Sequence, residues 1–152
     1  MKNVMISIKP KWCELIGTGE KTIEVRKTKP KCEVPFKCYI YCTQPKYKHE
    51  DFITVDAGTE KARAFYGGGK VIGEFICYTI LQVDCDSYAP FNRENGDYIH
   101  KLCCLNRNEF WEYTHGRCAY GWHISDLVIY DKPKELGEFG MKRPPQSWCY
   151  VE

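Results

Sequence analysis

Gly19-Glu20-Lys21-Thr22-Ile23-Glu24-Val25-Arg26 is the stretch whose reading decides the fold. From Thr22 onward polar and apolar side chains alternate, which is the two-residue period of a strand with one buried face. Ile23 and Val25 are expected to face a core, with Thr22, Glu24 and Arg26 on the opposite side. Just upstream, Trp12, Leu15 and Ile16 recur at i, i+3 and i+4, so a short helix with one buried face precedes the strand. Pro10 suits its first turn, and Gly17 and Gly19 end it. Strict alternation would point Lys21 toward the Ile23 side. A turn at Gly19 would free it to reach the side that carries Glu24 and Arg26.

Working outward, residues 4–8 read as a first strand and residues 38–43 as another. In the latter Tyr39 and Tyr41 share one face, and Cys38, Ile40 and Cys42 the other. Residues 44–70 are polar and irregular and read as an insertion or flap, closed by Gly67-Gly68-Gly69. That triplet lacks the Lys-Ser/Thr of a phosphate loop and reads as a hinge or tight turn. Residues 71–83 form the longest β-rich run, with Gly73 as a bend or bulge. Ile99, Leu102 and Cys103 fit one helix face. Asn106 and Glu109 have capping-box spacing ahead of Phe110 and Tyr113, so another helix starts there. Residues 118–130 read as one long, bent strand. Asp131 is expected to cap a short helix that contains Pro133, Leu136 and Phe139, and residues 148–151 to add a last strand. The expected fold class is α+β, a single domain over residues 1–152 built around a β-barrel with short flanking helices.

The octapeptide resembles the ASCH family signature, G-x-K-x-x-E-x-R. Ser7-Ile8-Lys9-Pro10 followed by a short helix is similar to the family's opening. Ala119-Tyr120-Gly121-Trp122-His123-Ile124 and Pro133-Lys134-Glu135-Leu136 are similar to its closing strand and helix. The resemblance implies a PUA-like fold and a ligand that is RNA or an RNA-derived nucleoside. One branch of the family contains amidohydrolases that deacetylate N4-acetylcytidine with a Lys, a Thr and a Glu. The Lys matches Lys21, but Glu24 stands where the Thr would be, and no later Glu matches the third group. That catalytic set is therefore not carried over. A small hydrolase, acting as an amidohydrolase or a metal-independent ribonuclease with Lys21 and Glu24 as its catalytic groups, stays as the alternative to a binding module.

The residue chemistry runs parallel to the resemblance. Arg26 offers a planar fork of donors for phosphate or a base edge. Lys21 offers a point charge, or a base if desolvated. Glu24 can accept from an exocyclic amine or orient Lys21. Lys9 can meet a phosphate, and Tyr41 and Trp122 are the candidate stacking platforms. The competing reading of Lys21, Glu24 and Arg26 is a buried ion network that fixes the helix–strand junction.

Composition narrows the classes. The 152 residues are 43% hydrophobic and 28% charged, proportions of a globular domain and not of a disordered tail. The net charge is only +2, but it is uneven: residues 1–50 hold 11 Lys/Arg against 5 Asp/Glu, and residues 51–152 hold 11 against 15. A basic N-terminal third can form a phosphate-attracting face. The 10 cysteines show no C-x-x-C pair, which excludes a zinc ribbon or a thioredoxin-type site, and they read as reduced structural residues. Cys38 with Cys42, and His100 with Cys103 and Cys104, are the only sets a metal site would draw on. No cofactor is expected, nor H-E-x-x-H, Ser-His-Asp or deaminase chemistry. Nothing reads as a signal peptide or membrane span, so the expected setting is the cytoplasm and the expected partner RNA or a nucleotide-like ligand, with no membrane.

Overall fold

The computed structural model describes residues 1–83 and 99–152. The chain runs β1 (Asn3–Ile8), α1 (Pro10–Gly17), β2 (Ile23–Arg26), β3 (Phe36–Cys42), β4 (Phe52–Val55), β5 (Arg63–Tyr66), β6 (Lys70–Cys77) and β7 (Ile80–Val83). After the helical residues 99–103 come α2 (Arg107–Thr114), β8 (Ala119–His123), β9 (Ser125–Lys134) and β10 (Trp148–Val151). The fold is α+β. One five-stranded sheet has the order β10-β1-β3-β6-β9, a three-stranded sheet the order β2-β8-β7, and β4-β5 pair alone. Among the described residues no sheet closes on itself into the expected barrel.

The two larger sheets are joined by two bends. The run 71–83 is not one strand. It leaves the five-stranded sheet after Cys77 and enters the three-stranded sheet at Ile80. The run 118–130 does the reverse, leaving the three-stranded sheet after His123 and entering the other at Ser125. Tyr78 Oη donates to the Asp126 carboxylate at 2.7 Å and His123 N to Thr79 O at 3.1 Å, so the bends brace one another. The register of β6 shifts on both sides of Gly73, where the bulge was expected.

β1 is an interior strand of the five-stranded sheet. It pairs parallel with β3 and antiparallel with β10. Its Val4, Ile6 and Ile8 enter the main core with Cys38, Ile40, Cys42, Phe75 and Trp122, while Met5 enters a smaller cluster on the other face with Tyr41, Val71 and Val151. A strand buried on both faces reads as a continuous apolar run, which is why 4–8 lacks alternation. A third cluster, with Ile23, Val25, Val83, Ile99, Cys103 and Phe110, lies behind β2.

Two expectations are corrected. The segment 44–70 is not irregular: β4 and β5 form a hairpin, and Ile53 and Val55 alternate into the main core, fully buried. The short helix near the C-terminus is a 3-10 turn, Leu136–Phe139, capped by Glu135 and not Asp131. Residues 131–134 stay in β9, so Pro133 is a strand residue. The Asn106–Glu109 capping box, by contrast, is complete in both directions, at 2.9 Å and 3.2 Å.

Candidate functional site

The turn that follows α1 sets the site. Gly19 adopts φ +83, a left-handed conformation that costs a glycine little. Gly19 N donates to Ile16 O, and Lys21 N to Leu15 O at 3.0 Å. Thr22 N then reaches Leu102 O at 2.8 Å, and Thr22 O accepts from Ile124 N at 2.9 Å. The turn thus fastens the start of β2 to the helical residues 99–103 on one side and to the β8–β9 junction on the other.

Lys9, Lys21, Glu24 and Arg26 line one cavity of about 550 Å3, together with Trp12, Tyr113, Glu109, Glu112 and polar groups such as Ser7 and Gln146. Lys21 is only 2% exposed. Its ammonium donates to Cys103 O at 2.5 Å and lies 5.0 Å from the centre of the Trp12 ring. Arg26 uses its fork on the protein: one terminal nitrogen donates to Ser7 O at 2.6 Å, and the other to Ser147 Oγ at 3.2 Å. Its Nε faces Glu24 Oε1 at 3.6 Å. Glu24 is 7% exposed, and its Oε2 is buried with no hydrogen-bond partner among the described residues. Burial pushes the Tyr113 phenol up, with Arg26 pulling the other way, so the hydroxyl at the cavity wall stays protonated at neutral pH.

The arrangement corrects the chemistry expected of Arg26. Its donors are taken up by backbone and side-chain oxygens that clamp β2 to β1 and to the chain ahead of β10, so it is not a free fork for phosphate. The ion-network reading therefore holds for Arg26 and Glu24, while Lys21 pairs with a carbonyl and not with Glu24. Across the cavity three cationic side chains, Lys9, Lys21 and Arg26, face three carboxylates, Glu24, Glu109 and Glu112. Glu109 also closes the α2 capping box, so helix formation itself delivers a carboxylate to the wall.

Tyr41 and Trp122 are placed elsewhere. Tyr41, 7% exposed, packs with Met5 and Val71 on the far face of β3, because alternation along β3 turns it away from the main core. Trp122 is fully buried and meets Phe36 edge-on at 5.6 Å and Trp148 at 5.9 Å. Neither lines the cavity. The rings that do are Trp12 and Tyr113. Both sit at helical spacings that read as core positions, so periodicity hid them. Among the described residues no group of three or more His, Cys, Asp and Glu is placed to hold a metal ion. None of the described helices is long and apolar enough to cross a membrane.

No family model matches the chain. Its fold matches crystal structures of the ASCH protein from Zymomonas mobilis. The unmodified protein superimposes with a TM-score of 0.66 at 22% identity, covering 99% of this chain and 88% of that one. A point mutant of the same protein gives 0.69 at 20% identity, covering 100% and 91%. The chain therefore has the ASCH-domain fold. It is also 26% identical over 152 residues to the ATP synthase subunit alpha of Ureaplasma parvum serovar 3. That match takes in 99% of this chain but only 15% of the length of the subunit.

Proposed function

We propose that this domain binds RNA, or a modified nucleoside derived from it, with a base held in the cavity around Lys21, Glu24 and Arg26. The observation that carries the reading is the cavity itself. At about 550 Å3 it lies within the roughly 300–1,000 Å3 typical of small-ligand sites. Its walls combine two aromatic rings with a few convergent polar groups, the mix that recognises a flat, polar heterocycle. Glu24 is a carboxylate acceptor on the cavity wall, the group that a base amine would meet there. Lys21 and Arg26 hold the walls in place: each anchors a separate piece of chain to β2, and a preformed site loses less entropy on binding. The ASCH fold of the Zymomonas mobilis protein is consistent with the reading.

Hydrolysis is the weaker reading. The Lys21 ammonium is held by Cys103 O and the Trp12 ring, and one Glu24 oxygen is held by Arg26, so the two do not form a nucleophile–base pair. Calorimetric titration with nucleoside monophosphates, and with N4-acetylcytidine alongside, tests the proposal. Binding that is lost in Glu24→Leu with the fold retained by circular dichroism is the expected result. Absence of heat with every ligand, and with short RNA as well, would remove the proposal.

A further inference from the structure

A second hollow of about 500 Å3 opens next to the first, between the start of α1 and residues 43–50. Lys9 and Thr43 belong to both walls, so the two are continuous. Their charge differs. Lys9, Lys11 and Lys46 border the second hollow with Glu50 as the one carboxylate on its wall. Among the described residues none of these three lysines has a carboxylate within ion-pair distance; the ion pairs there use Arg26, Lys37, Arg63 and Lys70. Lys11 and Lys46 instead lie over aromatic rings, Trp12 at 4.6 Å and Tyr47 at 5.6 Å. Tyr47 is 54% exposed and stacks on His49, with centroids 5.9 Å apart and planes 22° apart. Lys9 is also the N-cap of α1, and Pro10 and Lys11 of its first turn line the same hollow, so the positive end of the helix borders it.

Unneutralised lysines interleaved with an exposed, flat ring are the elements of a single-strand surface, where cations follow the phosphates and rings stack on bases. We infer that this hollow is a phosphate track that extends the cavity, so that the ligand is a single-stranded RNA of several nucleotides, entering the cavity with one base and lying over Lys9, Lys11 and Lys46 with its backbone. The inference rests on the cavity reading above and adds the polymer to it. A free nucleoside would use the first hollow only. An acidic peptide would satisfy the lysines but would make no use of the exposed Tyr47 ring.

The experiment compares two ligands on two proteins. Wild type and the double variant Lys11→Glu/Lys46→Glu are titrated with a nucleoside monophosphate and with a short, fluorescently labelled single-stranded RNA, over a range of salt concentrations. A glutamate-rich peptide serves as the third ligand. Neither varied residue lines the first cavity, so the monophosphate should bind both proteins alike. The RNA should bind wild type more tightly than the monophosphate does, and the variant should lose on the order of 10-fold in RNA affinity. Its slope of log affinity against log salt should flatten by about 0.7 for each phosphate that no longer meets a lysine. If both nucleotide ligands bind wild type but the variant keeps its RNA affinity and salt slope, the track is wrong and the cavity reading stands. An equal loss for monophosphate and RNA also overturns the track, because the lysines would then act on the cavity. Tighter binding of the peptide than of RNA replaces the proposed ligand. Failure of every nucleotide ligand on wild type removes the cavity reading and the track together.

Discussion

The cavity and the hollow beside it share Lys9 and Thr43, yet they use charge in opposite ways. In the cavity Lys9 is exposed, but Lys21 is buried and Arg26 largely so, and these two are already engaged: Lys21 by Cys103 O, and Arg26 by Ser7 O, Ser147 and Glu24. In the neighbouring hollow Lys11 and Lys46 are exposed, and among the described residues they have no carboxylate partner. A buried ion needs partners because desolvation is unfavourable, so its charge becomes part of the fold. An exposed ammonium carries no such penalty and stays available to an incoming anion, although salt screens it. Charge count alone therefore says little about which region binds phosphate. What matters is whether the donors are already used.

That contrast can be broken most forcefully at Arg26. Arg26→Ala removes the donors that join β2 to β1 and to Ser147, and leaves Glu24 buried without its ion pair. Loss of one partner from a buried pair costs about 3–5 kcal/mol. Urea denaturation should show a loss of that size, and Arg26→Lys should recover only part of it, since an ammonium cannot reproduce the fork. A fall in ligand affinity with unchanged stability would mean that Arg26 is free after all, and the distinction between engaged and available cations would collapse.

The β2 stretch was legible because its information is local. Alternation puts Ile23 and Val25 on one side and Glu24 and Arg26 on the other, and the structure keeps that division. The Asn106–Glu109 cap was legible for the same reason, since both partners lie within one turn. Trp122 was not. Residues of β8 are buried on both faces, with Ala119 in the cluster behind β2 and Trp122 in the main core, so alternation names two faces but not which meets solvent. The bends at residues 78–79 and 124 are also silent in sequence, because β-prone residues continue through them and only the second sheet requires the turn. The hairpin at 52–66 was masked by its polar surroundings: Ile53 and Val55 gain their burial from α1 and the core, which lie far away in sequence. Trp12 and Tyr113 follow helical spacing, and only the fold, which sets residues of α1, β2 and α2 around one cavity, makes them its walls.

A smaller effect is expected where α1 packs on the β4–β5 hairpin. A Cβ on Gly17 would lie 2.4 Å from Val55 Cγ1 and 3.1 Å from Val55 Cβ, so α1 and β4 meet closely there. Gly17→Ala should push the hairpin from the helix and cost about 1–3 kcal/mol, the range for overpacking a filled site. The loss should be local. Hydrogen exchange should rise over residues 52–66 and stay unchanged in β1 and β3, and the Lys46 side of the track should lose RNA affinity while the cavity keeps monophosphate affinity. Uniform exchange across the five-stranded sheet would show that the hairpin is part of the same cooperative unit as the core and that the two regions cannot be varied separately.

The smallest effect is expected from removing the available charges themselves. Among the described residues Lys11→Ala/Lys46→Ala loses no ion pair, because the two exposed ammoniums lie over the Trp12 and Tyr47 rings instead. Cation–π contacts at exposed sites contribute about 0.5–1 kcal/mol each, and surface substitutions outside such contacts stay within about 0.5 kcal/mol. The combined loss of stability should therefore be well below that of Arg26→Ala, and it should hardly vary with salt, because no charge pair is being screened. RNA affinity should fall far more than stability does, and its salt slope should flatten. A stability loss approaching that of Arg26→Ala would mean that Lys11 and Lys46 hold the 43–50 segment in place through their rings. The hollow they border would then be a structural joint, its cations built into the fold in the same way as Lys21 and Arg26.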